Sequence, residues 1–73
     1  MKEQFKKAAE IAEKLGWDDI YEINVTNNNI TINASFSDDI VPRIFKLGFK
    51  DETRDEDEFF FFKHNNVTVV LTD

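Results

Sequence analysis

Ser37-Asp38-Asp39-Ile40-Val41-Pro42-Arg43-Ile44-Phe45-Lys46-Leu47-Gly48-Phe49 is the stretch on which the fold turns. Read as a short helix over about 40–47, it puts Asp39 at the N-cap and Pro42 in the first turn, where a missing N–H removes no bond. Ile40, Val41, Ile44, Phe45 and Leu47 then make one wide apolar face. Gly48 suits the left-handed position that closes a helix, and Phe49 returns onto Ile44. Read instead as a strand over 40–50, the same residues make the chain αββββ. The helical reading makes it αββαββ.

N-terminal to this stretch, Phe5, Ala8, Ile11, Ala12 and Leu15 recur at three- and four-residue spacing and predict a helix over about 2–15. Glu3–Lys7 and Glu10–Lys14 form favourable (i, i+4) pairs on its wet side. Gly16 ends it, and Trp17 folds back on Ala12. Residues 20–26 and 30–36 alternate apolar and polar and flank Asn27-Asn28-Asn29, which predicts a hairpin.

C-terminal to it comes a charged loop over 50–57, then Glu58-Phe59-Phe60-Phe61-Phe62-Lys63, a turn at His64-Asn65-Asn66 and a last strand from Val67 to Thr72. A strand sends successive side chains to opposite faces, so the four Phe divide into two pairs.

The halves echo each other. Lys14-Leu15-Gly16-Trp17 matches Lys46-Leu47-Gly48-Phe49, and Asn28-Asn29-Ile30-Thr31-Ile32 matches Asn65-Asn66-Val67-Thr68-Val69. The expected architecture is α+β in two layers, with two helices on one face of a four-stranded sheet. Its order αββαββ is that of a ferredoxin-like fold with its first strand moved to the end. The Phe strand lies at an edge and the last strand inside. Aligning Glu58 with Glu22 turns Phe59 and Phe61 toward the helices. Phe60 and Phe62 then share the helix-free face with Val70, and such exposed apolar side chains point to association.

At 73 residues with no Cys, the chain is one domain near the lower size limit for a core, without disulfide or thiolate metal site. Eight Phe, one Trp and one Tyr supply the apolar mass. A net charge of −6 disfavours nucleic acid and anionic membrane as partners. No segment has the length of a membrane span and no signal-like apolar region opens the chain, so the expected location is the cytoplasm.

The acidic residues concentrate at Asp51, Glu52, Asp55, Glu56, Asp57 and Glu58, against one Arg54. The run lacks EF-hand spacing and its turn glycine. A solvated loop and a mimic of nucleic-acid phosphate that blocks a basic groove are the two readings it leaves. The single His64, placed in a turn, has no partner for catalysis, and neither Gly belongs to a phosphate loop. No enzyme chemistry, metal or cofactor is expected.

Asp39 to Asp73, with Lys46-Leu47-Gly48-Phe49, Phe59 to Phe62 and Val67-Thr68-Val69-Val70-Leu71, resembles half of a glyoxalase/vicinal-oxygen-chelate module, which implies the element order βαβββ over about half the chain. The family's metal-binding His and Glu have no match, since the last strand carries no Glu and the strand before it, taken to end at Lys63, no His.

The expectation for function is a small acidic domain that binds another protein through Phe60, Phe62, Val70 and the acidic residues Asp51, Glu52, Asp55, Glu56 and Asp57. Its size and charge suit an inhibitor encoded by a phage or mobile element. The alternative is a structural homodimer or small-ligand module formed over the Phe60/Phe62 sheet face.

Overall fold

The computed structural model describes residues 2–73. Helix α1 spans Lys2–Leu15 and is followed by a single 3₁₀ turn, Trp17–Asp19. Strands β1 (Ile20–Val25) and β2 (Ile30–Ser35) form the first hairpin. Helix α2 (Ile40–Lys46) leads to the two-residue strand β3 (Lys50–Asp51), and β4 (Phe60–His64) and β5 (Val67–Thr72) close the chain. The fold is α+β, with two helices and a five-stranded mixed sheet in the order β1-β2-β5-β4-β3. The expected count of four strands is thus corrected: Lys50 and Asp51 pair with Lys63 and Phe62 and add a fifth. Residues 40–46 are helical, so the αββββ alternative is also set aside.

The centre of the sheet is a parallel pair. Six residues of β2, Ile30 to Ser35, run beside Val67 to Thr72 of β5. Parallel neighbours cannot be joined by a tight turn, and α2 lies in the connection between them. The alternation expected for both strands holds: Ile30, Ile32 and Ala34 and their partners Val67, Val69 and Leu71 are all buried in one cluster with Ala8, Leu15, Ile40 and Ile44. Both helices therefore cover the same face.

The caps show how sequence sets the ends of the helices. Asp39 was expected to cap α2, but it has helical dihedrals and its side chain makes no capping bond. Ser37 does that work: its Oγ accepts from the Ile40 amide at 3.2 Å. A hydroxyl two residues further out reaches the orphan amide because Asp38 and Asp39 already form a turn leading into the helix. Gly48 closes α2 at φ +95°, and the Phe49 amide donates to the Ile44 carbonyl at 3.4 Å, which carries the Phe49 ring into the core. Gly16 closes α1 at φ +105°. There the returning aromatic goes elsewhere: Trp17 is half exposed and its Nε1 donates to Glu13 Oε2 at 2.6 Å rather than covering Ala12.

Two cross-ties hold the helices in place. Arg43 on α2 donates from Nη1 to the Leu15 carbonyl at 3.0 Å, satisfying a terminal acceptor of α1. Lys7 Nζ donates to Asn66 Oδ1 at 2.9 Å, and Asn66 Nδ2 donates to the Asn28 carbonyl at 3.2 Å. The two hairpin turns and α1 thus meet at one end of the sheet. Phe5, expected on the buried stripe, is 57% exposed.

Arg43→Ala should lower stability by about 1 kcal/mol, the order for a hydrogen bond from a charged donor at a partly solvated site. Gly16→Ala should cost at least as much, because φ there is +105° and a Cβ would lie 3.1 Å from Arg43 Nη1. Urea unfolding of both variants is the check, and wild-type midpoints would contradict the cap assignment.

Candidate functional site: an aromatic groove with an acidic rim

The two-residue turn Asn65-Asn66, with Asn65 at φ 54°, fixes how β4 lies on β5. His64 pairs with Val67, Phe62 with Val69 and Phe60 with Leu71. Residues directly opposite in an antiparallel pair share a face. Phe60, Phe62 and His64 therefore stand on the helix side, and Phe61 stands with Val70 on the other. This reverses the expected faces. Phe62 is buried to 2% exposure in the core, and Val70, 8% exposed, shares a face with neither Phe60 nor Phe62. His64 is not a turn residue but ends β4, with its ring edge-on to Phe49 at 5.5 Å.

The even-numbered Phe of the run meet aromatics from two other elements. Phe45 on α2 packs edge-on against Phe62 with centroids 5.5 Å apart. Phe36, just beyond β2, lies 5.3 Å from Phe60. Phe36 is held there by its amide, which donates to the Thr72 carbonyl at 2.7 Å. Between these rings runs a groove of ≈ 400 Å³ lined by Phe36, Val41, Pro42, Phe45, Phe60 and Phe62, with Asp38 and Asp51 at its rim. Phe36, Phe45 and Phe60 remain 38–49% exposed, so an apolar floor with a carboxylate rim opens to solvent.

Of the residues expected at a partner site, Phe60, Phe62 and Asp51 come together here. Asp51 is the register partner of Phe62 across β3 and β4. Val70 lies on the opposite face of the sheet. Glu52, Asp55, Glu56 and Asp57 lie in the segment that joins β3 to β4, and that segment is more ordered than a solvated loop. Glu52 donates its amide to the Phe61 carbonyl at 2.8 Å, and Thr53 Oγ1 accepts from the Phe61 amide at 2.9 Å. Asp51 and Asp57 are spent locally, accepting from the Thr53 and Arg54 amides at 2.9 Å each. Glu52, Asp55, Glu56 and Glu58 are left as exposed carboxylates. Among the described residues, no group of three His, Asp or Glu side chains could hold a metal ion. No helix among the described residues is long and apolar enough to cross a membrane.

Phe36, Phe45, Val41, Pro42 and Asp38 were not expected at a site. The sequence did carry one sign of them. The apolar face of α2 spans Ile40, Val41, Ile44, Phe45 and Leu47, yet only Ile40 and Ile44 are fully buried. A face wider than the core needs leaves apolar surface over. Compared with protein-family models, with curated proteins and with solved structures, the chain matches none.

The two members of the Phe pair should separate cleanly on truncation. Phe62→Ala should cost about 3–5 kcal/mol, as for a fully buried ring, and Phe60→Ala roughly 1 kcal/mol, as for a partly covered one. Chemical denaturation measures both, and equal losses would contradict the assignment of Phe62 to the core.

Proposed function

We propose that this chain is a small acidic protein-binding domain that docks on its partner through the Phe36/Phe45/Phe60 groove. One observation carries the reading. Three half-exposed phenylalanines from three separate elements converge on one concavity, whereas the other exposed aromatics, Phe5, Trp17, Tyr21 and Phe59, do not line it. Interfaces are built around such aromatic anchors with a polar rim. Asp38 and Asp51 at the rim, with Glu52, Asp55, Glu56 and Glu58 beyond, favour a partner surface with an apolar knob set among Lys or Arg. An inhibitor that covers a basic groove is the form of activity this combination suits best, and a cytoplasmic setting agrees with the absence of Cys. In fold terms, the order β1-β2-β5-β4 supports a permuted ferredoxin-like domain, with β3 as an edge addition.

Affinity capture from the source cells, followed by binding kinetics with the recovered protein, tests the reading. Phe45→Ser should raise the dissociation rate by about tenfold or more, as for an interface anchor worth upward of 1.4 kcal/mol. Neutralising Asp55, Glu56 and Glu58 together should slow association and flatten its salt dependence. Equal capture by wild type and Phe45→Ser would remove the groove from the function.

A further inference from the structure

The two edges of the sheet differ in a way that fold stability does not require. At one edge β3 is two residues long, Lys50-Asp51, and leads into the acidic segment. Short length and charge are the devices by which natural sheets refuse a further strand. At the other edge β1 is six residues long and carries no Pro, Lys or Arg. Its free side follows from the hairpin. The Thr26 amide donates to Asn29 at 2.9 Å, and the Ile30 amide points away from β1, to Asn66. With Val25 opposite Ile30 and Asn24 opposite Thr31, hydrogen-bonded pairs alternate along β1. Glu22 and Asn24 face β2, and the amides and carbonyls of Ile23 and Val25 face outward. No hydrogen bond among the described residues reaches them.

We propose that β1 pairs antiparallel with β1 of a second copy, about a two-fold axis at Asn24, joining the two sheets edge to edge. In that register Ile23 of one copy lies opposite Val25 of the other, each pair exchanging both of its N–H···O bonds. Glu22 falls opposite Thr26, so the only charge of the strand meets a hydroxyl and not its own copy. The helix layer is complementary to itself as well. Lys7 reaches the Asn66 turn and marks the inner flank of α1. Phe5, two residues earlier and so on the opposite flank, stands on the β1 side of the helix with 57% of its surface exposed. A second copy brings its own Phe5 to that flank, above Ile23 and Val25, which are only partly buried in the single chain. The second copy is favoured over a foreign strand because register, charge and ring placement all satisfy the same axis. The surface is separate from the aromatic groove, which lies toward the β4–β3 edge of the sheet.

Sedimentation equilibrium from micromolar to millimolar concentration should give a mass near twice 8.6 kDa. Val25→Pro removes an outward donor without touching a bond to β2, and should return the mass to that of one chain with an unchanged far-UV spectrum. Phe45→Ser, in the groove, should leave the dimer intact. If Val25→Pro does not fold, amide exchange of the wild type decides: the Ile23 and Val25 amides should exchange more slowly as concentration rises. A single-chain mass for wild type throughout, a dimer that persists in folded Val25→Pro, or concentration-independent exchange at those two amides would each overturn the proposal.

Discussion

The parallel pairing of β2 with β5 is the constraint on which the rest depends. It joins the two halves of the chain over six consecutive residue pairs, and its helix-side residues form the centre of the core. Nothing shorter than a crossover can connect such strands, so α2 must sit on the sheet. Arg43 then reaches the end of α1 from that position, and the Asn66–Asn28 contact ties the two hairpin turns at the end of the sheet where β2 and β5 begin. Each hairpin only adds an outer strand to the central pair.

That arrangement explains where aromatic surface is left over. β4 pairs with β5 and with the two residues of β3, and on its helix side α2 reaches Phe62 through Phe45, while Phe60 and His64 meet Phe36 and Phe49 from outside that helix. A helix of seven residues covers one ring well, Phe62, and leaves the next, Phe60, at its margin beside Phe36. The groove is therefore a consequence of a short helix over a wide sheet. In a domain this small, the cost of ordering the chain nearly balances its burial, and half-covered Phe side chains stabilise little unless something docks on them.

Much of this was legible in the sequence because the local signals agreed. The apolar spacing of α1 from Ala8 to Leu15, the glycines at 16 and 48, Pro42 in the helical reading of 40–47 and the alternation of β2 and β5 all hold. In β1, by contrast, a bulge between Ile20 and Glu22 turns Ile20 to the core. It leaves Tyr21, which strict alternation puts beside Ile23 and Val25, 59% exposed with its hydroxyl on Thr72. The faces of β4 were not read correctly, and the cause is specific. A one-residue slip exchanges the faces of a strand. Matching Glu58 to Glu22 made that slip, whereas carrying the alignment back from the Asn65 turn puts Phe60 and Phe62 on the face of Ile23 and Val25. Taking His64 into the turn hid the same fact, because its pairing with Val67 sets the register. The groove could not be read from pattern alone, since Phe36, Phe45 and Phe60 come from three elements whose approach depends on the crossover.

The lie of the Phe strand under α2 is thus the central claim, for the placement of Phe62 in the core and the aromatic groove both follow from that register. Nuclear Overhauser contacts between assigned aromatic rings test it most directly. The account predicts cross-peaks between Phe45 and Phe62 and between Phe36 and Phe60, with Phe61 contacting Val70. Cross-peaks from Phe45 to Phe61 instead would place the other face of β4 beneath the helix and contradict it.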